Sequence, residues 1–214
     1  RDSGSVHICG QSVSGLAPNE RRQLGLSFVP EERLGRGAVP ALSLSYNGLL
    51  TGFEHGMKRW NLLKFPAIRE FADRCIKDND VRCSGIEASA SSLSGGNLQK
   101  FIIGRELALA PKLLVLSQPT WGIDVGAAAA IRQRLINLRD EGIGILIVSE
   151  ELEELFEVAD KLHVIYAGQL SEAVSARSTT AEQIGHWMTG AFTSTSRAST
   201  SPSASSSSGV ASDV

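Results

Sequence analysis

The eight residues Leu93 to Lys100, LSGGNLQK, constrain the fold of this 214-residue chain more than any other stretch. Ser94 offers a hydroxyl, and Gly95 and Gly96 let the backbone approach an anion closely. An apolar helical run, Phe101 to Ala110, follows at once, so the free N–H groups of a helix start point outward from the glycines. The stretch predicts either a phosphate clamp or an ordinary Ser-Gly helix cap.

A short apolar strand and an aspartate-containing loop follow that helix. The residues Leu113 to Leu116 are all apolar, which is typical of a buried strand. Pro119 and Thr120 then end the strand, and Asp124 precedes a predicted helix from Ala127 to Arg139. A glycine turn, a helix, a buried strand and an aspartate loop therefore occur in a defined order, and this order favours the phosphate clamp.

This order resembles the nucleotide-binding domain of ABC transporter ATPases, over roughly Ser5 to Gly190. Two segments are most similar to the second, C-terminal domain of the tandem ATPases that drive simple-sugar and nucleoside importers, and more so to the nucleoside type. They are QPTWGIDVGA, Gln118 to Ala127, and VPEERLGRG, Val29 to Gly37. The LSGG stretch corresponds to the signature motif of that family.

The resemblance implies an α/β, P-loop NTPase-like ABC ATPase domain over residues 1–190, with a helical subdomain at about 42–95. The core sheet, mixed or parallel, is expected to carry the strands that end at Val29, Leu116 and Val148. The residues 191–214 are mainly Ser, Thr and Ala, which bury too little apolar surface to offset the entropy of ordering, so they are predicted to be a disordered tail.

The hydrophobic pattern also predicts the shorter elements. The section Leu42 to Ser92 is expected to be mostly helical, with a weak middle at Phe53 to Leu63. The apolar stripe of its main helix is predicted to be core and consists of Ile68, Phe71, Ala72, Cys75 and Ile76. The predicted helices are Pro18 to Leu24, Leu44 to Leu50, Pro66 to about Lys77, Glu150 to Ala159 and Thr180 to Met188. The predicted strands lie near Val6 and Ile8 and at Leu26 to Val29, Ile145 to Val148, Leu162 to Tyr166 and Gln169 to Ala173.

The phosphate loop of a P-loop enzyme, G-x-x-x-x-G-K-[ST], does not occur in this sequence. The stretch from Gly52 to Lys58 has the wrong spacing and lacks a Ser or Thr after the lysine. In the resembling family this loop precedes the strand at Val6. The chain is therefore expected to be truncated before its Walker A strand, loop and helix.

The positions that carry the chemistry in the family are also changed. Ser117 and Gln118 stand where the family has Asp, which orients the Mg²⁺ shell, and Glu, which polarises the attacking water. Gln cannot take up a proton, so a general-base contribution of about 10²–10⁴-fold is absent. Glu150 stands where most relatives have a His that reaches the γ-phosphate, which a carboxylate would repel. The sequence thus predicts no catalytic residue, and a chain that is inactive alone.

The resemblance explains why the signature is intact. Two such domains pair head to tail, and each ATP lies between the phosphate loop of one domain and the LSGG of the other. The signature residues expected to serve an ATP and Mg²⁺ held by the second nucleotide-binding domain are Ser94, Gly95, Gly96, Asn97 and Gln99. Asp124 is expected on the seam between the domains, where Trp121 also lies.

Further partners follow from the resemblance. Glu31 occupies the position of the Q-loop glutamine, which links the nucleotide site to the transmembrane permease subunits. The residues Asn47 to Gly56 are predicted to dock the permease. A periplasmic or lipoprotein solute-binding protein is an indirect partner, and the expected location is the cytoplasmic face of the cell membrane, as a peripheral protein.

Composition excludes several other classes. The net charge is −2 and no dense Lys/Arg cluster occurs, so nothing indicates nucleic acid binding. No run of about 18 apolar residues is present. Cys9, Cys75 and Cys83 have no CxxC spacing, which favours reduced thiols over a disulfide frame or zinc site. The four histidines have no ligand spacing, so no metal site is predicted.

Two alternatives to the importer half remain open. A non-catalytic interaction or scaffold module of an ABC assembly would explain the missing phosphate loop but has no need for an intact LSGG. An ABC ATPase of DNA repair or translation would be expected to show long heptads or basic arms. The first is tested by substituting Ser94, and the second by salt-sensitive nucleic acid binding.

Overall fold

The structure is a computed structural model that describes residues 4–60 and 62–192. The chain divides into two compact units, of which the first ends at Val158 and the second begins at Ala159. The boundary between these units lies inside the segment 1–190 that was predicted as one ABC-type domain. Residues 193–214, nearly all of the predicted disordered tail, lie outside the described residues.

The first unit combines a small sheet with six helices among its described residues. In chain order, the elements are β1 (His7–Ile8), β2 (Gln11–Ser12), α1 (Pro18–Gln23), β3 (Leu26–Val29), α2 (Leu44–Gly52), β4 (Lys58–Arg59), β5 (Leu62–Leu63), α3 (Phe65–Asp78), α4 (Gly95–Leu107), β6 (Leu113–Ser117), α5 (Val125–Asp140), β7 (Gly144–Val148) and α6 (Leu152–Val158). A 3-10 turn, Ala90–Ser92, precedes α4.

The strands β3, β6 and β7 form a parallel sheet in that order. Because all three run the same way, their carboxyl ends lie at one edge, where the chain continues into Pro30, Gln118 and Ser149. One face of the sheet is buried and carries Val29 and Leu116, both fully shielded from solvent. The sequence predicted a mixed or parallel core sheet, and the three described strands of this sheet are parallel.

The opposite face of this sheet is partly open. Side chains alternate between the faces of a strand, and the register sets Phe28 and Leu146 on either side of Val115. Phe28, Leu146 and Val148 are 44%, 54% and 51% exposed. Parallel sheets normally bury both faces, so this apolar face is an unusual surface.

The helical subdomain is built from α2 and α3, which pack on each other and on α4. The predicted apolar stripe of α3 is confirmed as core, with Ile68, Phe71, Ala72 and Cys75 buried and Ile76 packed against them. Burial raises the pKa of the Cys75 thiol to about 12. The thiol therefore stays protonated at neutral pH and behaves as a small apolar side chain.

The weak middle of this section, Phe53 to Leu63, contains a β-hairpin that was not predicted. The strands β4 and β5 pair there antiparallel, Lys58 with Leu63. Gly56 and Trp60 have φ of +79° and +49°. These left-handed positions interrupt helical geometry.

Asn47 is a structural residue rather than a docking residue, which corrects the predicted permease contact at Asn47 to Gly56 in part. Its side chain is fully buried. The Asn47 amide oxygen accepts from the Val39 N–H at 2.7 Å, and its amide nitrogen donates to the carbonyls of Val39 and Leu42 at 3.1 and 3.0 Å. Asn47 therefore fastens the loop after the Q-loop position to α2.

Buried charged residues of α4 link this helix to α2 and α1. Arg105 donates to the Asn47 carbonyl at 3.2 Å and forms an ion pair with Glu106 at 3.0 Å. Glu106 is in turn 2.7 Å from the Arg22 guanidinium at the end of α1. Pairing satisfies charges that would be costly to bury alone, so α1, α2 and α4 are fixed relative to one another.

The described residues of the second unit, 159–192, form two short strand pairs and a helix. Its elements are β8 (Lys161–Leu162), β9 (Ile165–Tyr166), β10 (Gln169–Leu170), β11 (Val174–Ser175) and α7 (Ala181–Met188). The single strand predicted at Leu162 to Tyr166 is two strands, because β8 pairs with β11 while β9 pairs with β10. Thr180 caps α7, and the ring of Phe192 packs edge-on against Trp187.

Candidate functional site

The signature motif forms the start of α4. Ser94 is the N-cap residue and is exposed, and its hydroxyl accepts from the N–H of Asn97 at 3.5 Å and the side-chain amide of Asn97 at 2.9 Å. The helix begins at Gly95, which is also exposed. Its first-turn N–H groups have no partner within the helix, so this start is suited to an anion.

Gly96 brings the signature against the start of α5. A side-chain carbon at Gly96 would lie 3.1 Å from the Asp124 carboxylate and 3.3 Å from the Cβ of Ala127. Asp124 is the N-cap of α5, and its carboxylate accepts from the Ala127 N–H at 2.8 Å. The structure therefore brings the signature glycines and Asp124 together. The expectation that Asp124 lies on a seam between two domains stays a prediction.

Arg33 completes this cluster, and the sequence analysis did not single it out. Its guanidinium donates to the Trp121 carbonyl and lies beside Gly122 and Gly95, where an added side-chain carbon at Gly95 would be 2.6 Å from Arg33 Nη1. Burial lowers the pKa of Arg33 below its usual value. The signal was its place in VPEERLGRG, but its contacts depend on packing between distant segments.

Of the predicted signature residues, Asn97 is hydrogen-bonded within the chain and Gln99 is buried. The Asn97 side chain donates to Ser94 and accepts from the Arg82 N–H at 2.8 Å, so it orients the Ser94 hydroxyl. Gln99 is only 1% exposed, and its amide oxygen has no hydrogen-bond partner among the described residues. The structure therefore places Gln99 inside the unit, away from the exposed surface that carries Ser94.

The ends of β6 and β7 carry the changed chemical positions. The Gln118 N–H donates to the Val148 carbonyl at 2.8 Å, and its side-chain oxygen accepts from the Ser149 hydroxyl at 3.3 Å and the Glu150 N–H at 3.4 Å. The Glu150 side chain is exposed. Ser117, Gln118 and Glu150 thus lie together, and Gln118 links the two strand ends through neutral hydrogen bonds.

Ser149 also explains where α6 begins. The Ser149 hydroxyl accepts from the Glu151 N–H at 3.0 Å, which caps the following turn. The helix starts at Leu152, two residues later than predicted from the acidic run at Glu150. Glu150 and Glu151 therefore precede the helix and are not part of it. Glu154 lies in its first turn and is buried.

Glu31 borders an open cavity of about 850 Å³ beside this cluster. The cavity is lined from α2 by Leu50 and Thr51, and from the strand end and following loop by Ser117 and Trp121. Glu31 is exposed. The Q-loop position, the end of β6 and the last turn of α2 therefore share one cavity.

The chain is similar to known ATP-binding proteins of importers. No family model matches the chain. Over 190 residues the chain is 40% identical to the nucleoside import ATP-binding protein NupA of Lactococcus lactis subsp. cremoris. The matched segment is 88% of this chain and 38% of that protein. Over 201 residues it is 35% identical to the glucose import ATP-binding protein TsgD13 of Haloferax volcanii. That match covers 92% of this chain and 36% of TsgD13. This chain is a homologue of sugar and nucleoside import ATP-binding proteins.

Solved structures establish the fold of this homologue. A dimeric ATP-binding cassette in a post-hydrolysis state with ADP and Pi has a TM-score of 0.68 and 21% identity, covering 83% of this chain and 75% of that one. A dimeric bacterial ABC transporter cassette gives a TM-score of 0.67 at the same identity and coverage. The predicted α/β ABC ATPase fold is confirmed. The chain spans less than two fifths of the length of the curated relatives it matches.

No described helix is both long and apolar enough to cross a bilayer. Within the same part of the chain, His, Cys, Asp and Glu side chains do not form groups of three that could hold a metal ion.

Proposed function

We propose that this chain is the second, degenerate ATP-binding half of an ABC importer for simple sugars or nucleosides, and that its LSGG start contacts an ATP held by another cassette. The observation that carries the proposal is a contrast within one unit. The signature helix start at Ser94 is exposed beside Asp124, whereas the strand ends carry neutral Ser117 and Gln118.

The residues present fit a terminal phosphate at the signature. Ser94 offers a hydroxyl, the first turn of α4 offers N–H groups, and the guanidinium of Arg33 lies beside Gly95. An anion at a helix start is stabilised by about 0.3–1 kcal/mol from the dipole alone. ATP supplies the phosphate, and this chain's residues orient it.

The residues present do not fit a Mg²⁺ shell at the end of β6. Neutral Ser117 and Gln118 are poor ligands for a hard cation that favours carboxylates and phosphates, and the Gln118 oxygen already accepts two hydrogen bonds. The proposal therefore assigns the metal and the attacking water to the partner cassette.

The partners and the location follow from the same proposal. A permease subunit would dock at the cavity that Glu31 shares with Leu50 and Thr51. The second cassette would meet the surface formed by Ser94 and Asp124. The solute-binding protein acts through the permease, and the chain lies at the cytoplasmic face of the membrane. The names of the relatives, which import nucleosides and glucose, support this assignment.

Hydrolysis by the isolated chain tests the degenerate half of the proposal. We expect Mg²⁺-dependent phosphate release from ATP to equal the buffer background, because Gln118 cannot act as a base. The matched control is Gln118→Ala, which should give the same background. Phosphate release that depends on Mg²⁺ and falls in Gln118→Ala would contradict the proposal, since it would assign catalysis to this strand end.

A further inference from the structure

The hairpin formed by β4 and β5 carries exposed apolar side chains. Trp60 and Leu62 are 86% and 72% exposed. Together with Arg59, Leu63 and Lys64 they line a shallow cavity of about 340 Å³. We call these five residues the hairpin patch. Apolar groups clustered at the surface mark interaction sites more often than isolated ones do.

The hairpin is fastened to the end of α2. Met57, just before β4, is buried, and its carbonyl accepts from the Lys64 N–H at 2.8 Å. The ammonium of Lys58 forms an ion pair with Glu54 at 2.6 Å and lies 4.4 Å from the centre of the Phe53 ring. The backbone of the hairpin is thus fixed at its base before any partner arrives, which lowers the entropic cost of binding.

The hairpin patch is cationic. The Arg59 guanidinium lies 4.9 Å from the centre of the Trp60 ring. Within the described part of the chain, neither Arg59 nor Lys64 forms an ion pair with a carboxylate. A guanidinium stacked on an aromatic ring keeps its N–H groups for an acceptor. The patch is complementary to an apolar group flanked by carboxylates.

The position of the patch connects it to the cavity at the Q-loop position. The helix α2 contributes Leu50 and Thr51 to that cavity, and the hairpin begins six residues after α2 ends at Gly52. The side chain of Met57 packs against Gly52, where an added carbon would lie 2.4 Å from the methionine methyl. The cavity and the hairpin therefore both adjoin the C-terminal end of α2.

We propose that the hairpin patch binds an amphipathic cytoplasmic segment of the permease, one that presents apolar side chains next to Asp or Glu. This inference rests on the proposed function, because it names a second contact of the same partner. An apolar side chain enters the cavity between Trp60 and Leu62, and a carboxylate pairs with Arg59 or Lys64. Trp and Arg are the residues most enriched at interface hot spots. A concave site favours an inserted side chain over a lipid surface.

The test uses the full chain co-expressed with the permease subunits and purified from detergent-solubilised membranes through this chain. The measured quantity is the permease retained per chain. We expect Arg59→Glu with Lys64→Glu, and separately Trp60→Ala, to lower retention by about tenfold, the scale of a hot-spot residue. The control Lys77→Glu reverses an exposed charge on α3 and should retain the wild-type amount. Equal thermal midpoints establish that all variants are folded.

The possible results separate this inference from the proposed function. Loss in the hairpin variants, reversed when an acidic residue of the permease segment is changed to Lys in the Arg59→Glu background, supports the inference. Wild-type retention by every variant overturns the inference and leaves the proposed function standing. A wild-type chain that retains no permease overturns both. Binding to phosphatidylcholine–phosphatidylglycerol vesicles without permease, lost in Trp60→Ala, would replace the permease with lipid.

Discussion

At the scale of single residues, Gln118 shows how the strand end is organised without a carboxylate. Its backbone is left-handed, with φ of +49°, and its amide oxygen accepts from Ser149 and Glu150. The side chain that would position a water in an active site instead ties β6 to β7. We infer that this residue now contributes to stability.

The hydrogen bond between Gln118 and Ser149 should make the effects of mutating these two residues on the free energy of unfolding non-additive. Gln118→Ala and Ser149→Ala should each lower the free energy of unfolding by about 0.5–1.5 kcal/mol, and the double variant by less than the sum, because both remove the same hydrogen bond. Urea unfolding of the four proteins measures this. The control Gln133→Ala removes an exposed bond to Asn137 and should change little. Strict additivity would show that Gln118 and Ser149 are not coupled.

At the scale of elements, the helical subdomain depends on Asn47. Its side chain makes bonds to Val39 and Leu42, while its carbonyl accepts from Arg105 in α4. The loop after Glu31, the helix α2 and the signature helix are therefore fixed by one buried polar residue.

Truncating Asn47 should destabilise the fold strongly. We expect Asn47→Ala to lower the free energy of unfolding by at least about 2 kcal/mol, because it leaves buried donors and acceptors without partners. Tyr46→Ala is the matched control, since Tyr46 is exposed on the same helix. Denaturant unfolding of both variants measures the difference, and equal midpoints would contradict this role.

The sequence predicted the elements whose signals are local. The apolar runs of β6 and β7 and the helix cap at Ser94 are readable from a few adjacent residues. The hairpin at β4 and β5 was missed, because Lys58 and Leu63 pair across a turn that lacks a strong turn dipeptide.

The candidate site was predictable to the same extent. The resemblance led to the expectation that Asp124 lies on a seam between domains. It did not predict the proximity of Asp124 to Gly96, the contacts of Arg33, or the burial of Gln99 and Asn47. These depend on which distant segments pack together, for example Arg33 against Trp121. Periodicity and spacing carry no information on such contacts.

At the scale of the whole chain, the open apolar face of the sheet favours self-association. Phe28, Leu146 and Val148 lie on one face, and among the described residues β7 pairs only with β6. Exposed apolar faces and free strand edges both promote association.

Self-association of the chain should therefore depend on this face. We expect the wild-type chain to form larger species as its concentration rises, and Leu146→Lys with Val148→Lys to remain monomeric, as measured by sedimentation velocity. Val125→Lys adds a charge at an exposed apolar position of α5 and serves as the control. A wild-type chain that is monomeric at high concentration, or a double variant that associates equally, would refute this expectation.

The central claim is that the signature serves an ATP in trans, and Ser94 tests it most directly. The measurement is the ATPase rate of the assembled transporter, with its permease and both cassettes, for Ser94→Asp, Ser94→Arg and Ser94→Thr. Asp caps a helix as well as Ser does but repels a phosphate, so it separates the ligand contact from helix stability. The account predicts that Asp and Arg abolish hydrolysis while Thr retains most of it. Full activity in a folded Ser94→Asp transporter would contradict the account and favour a scaffold role for this chain.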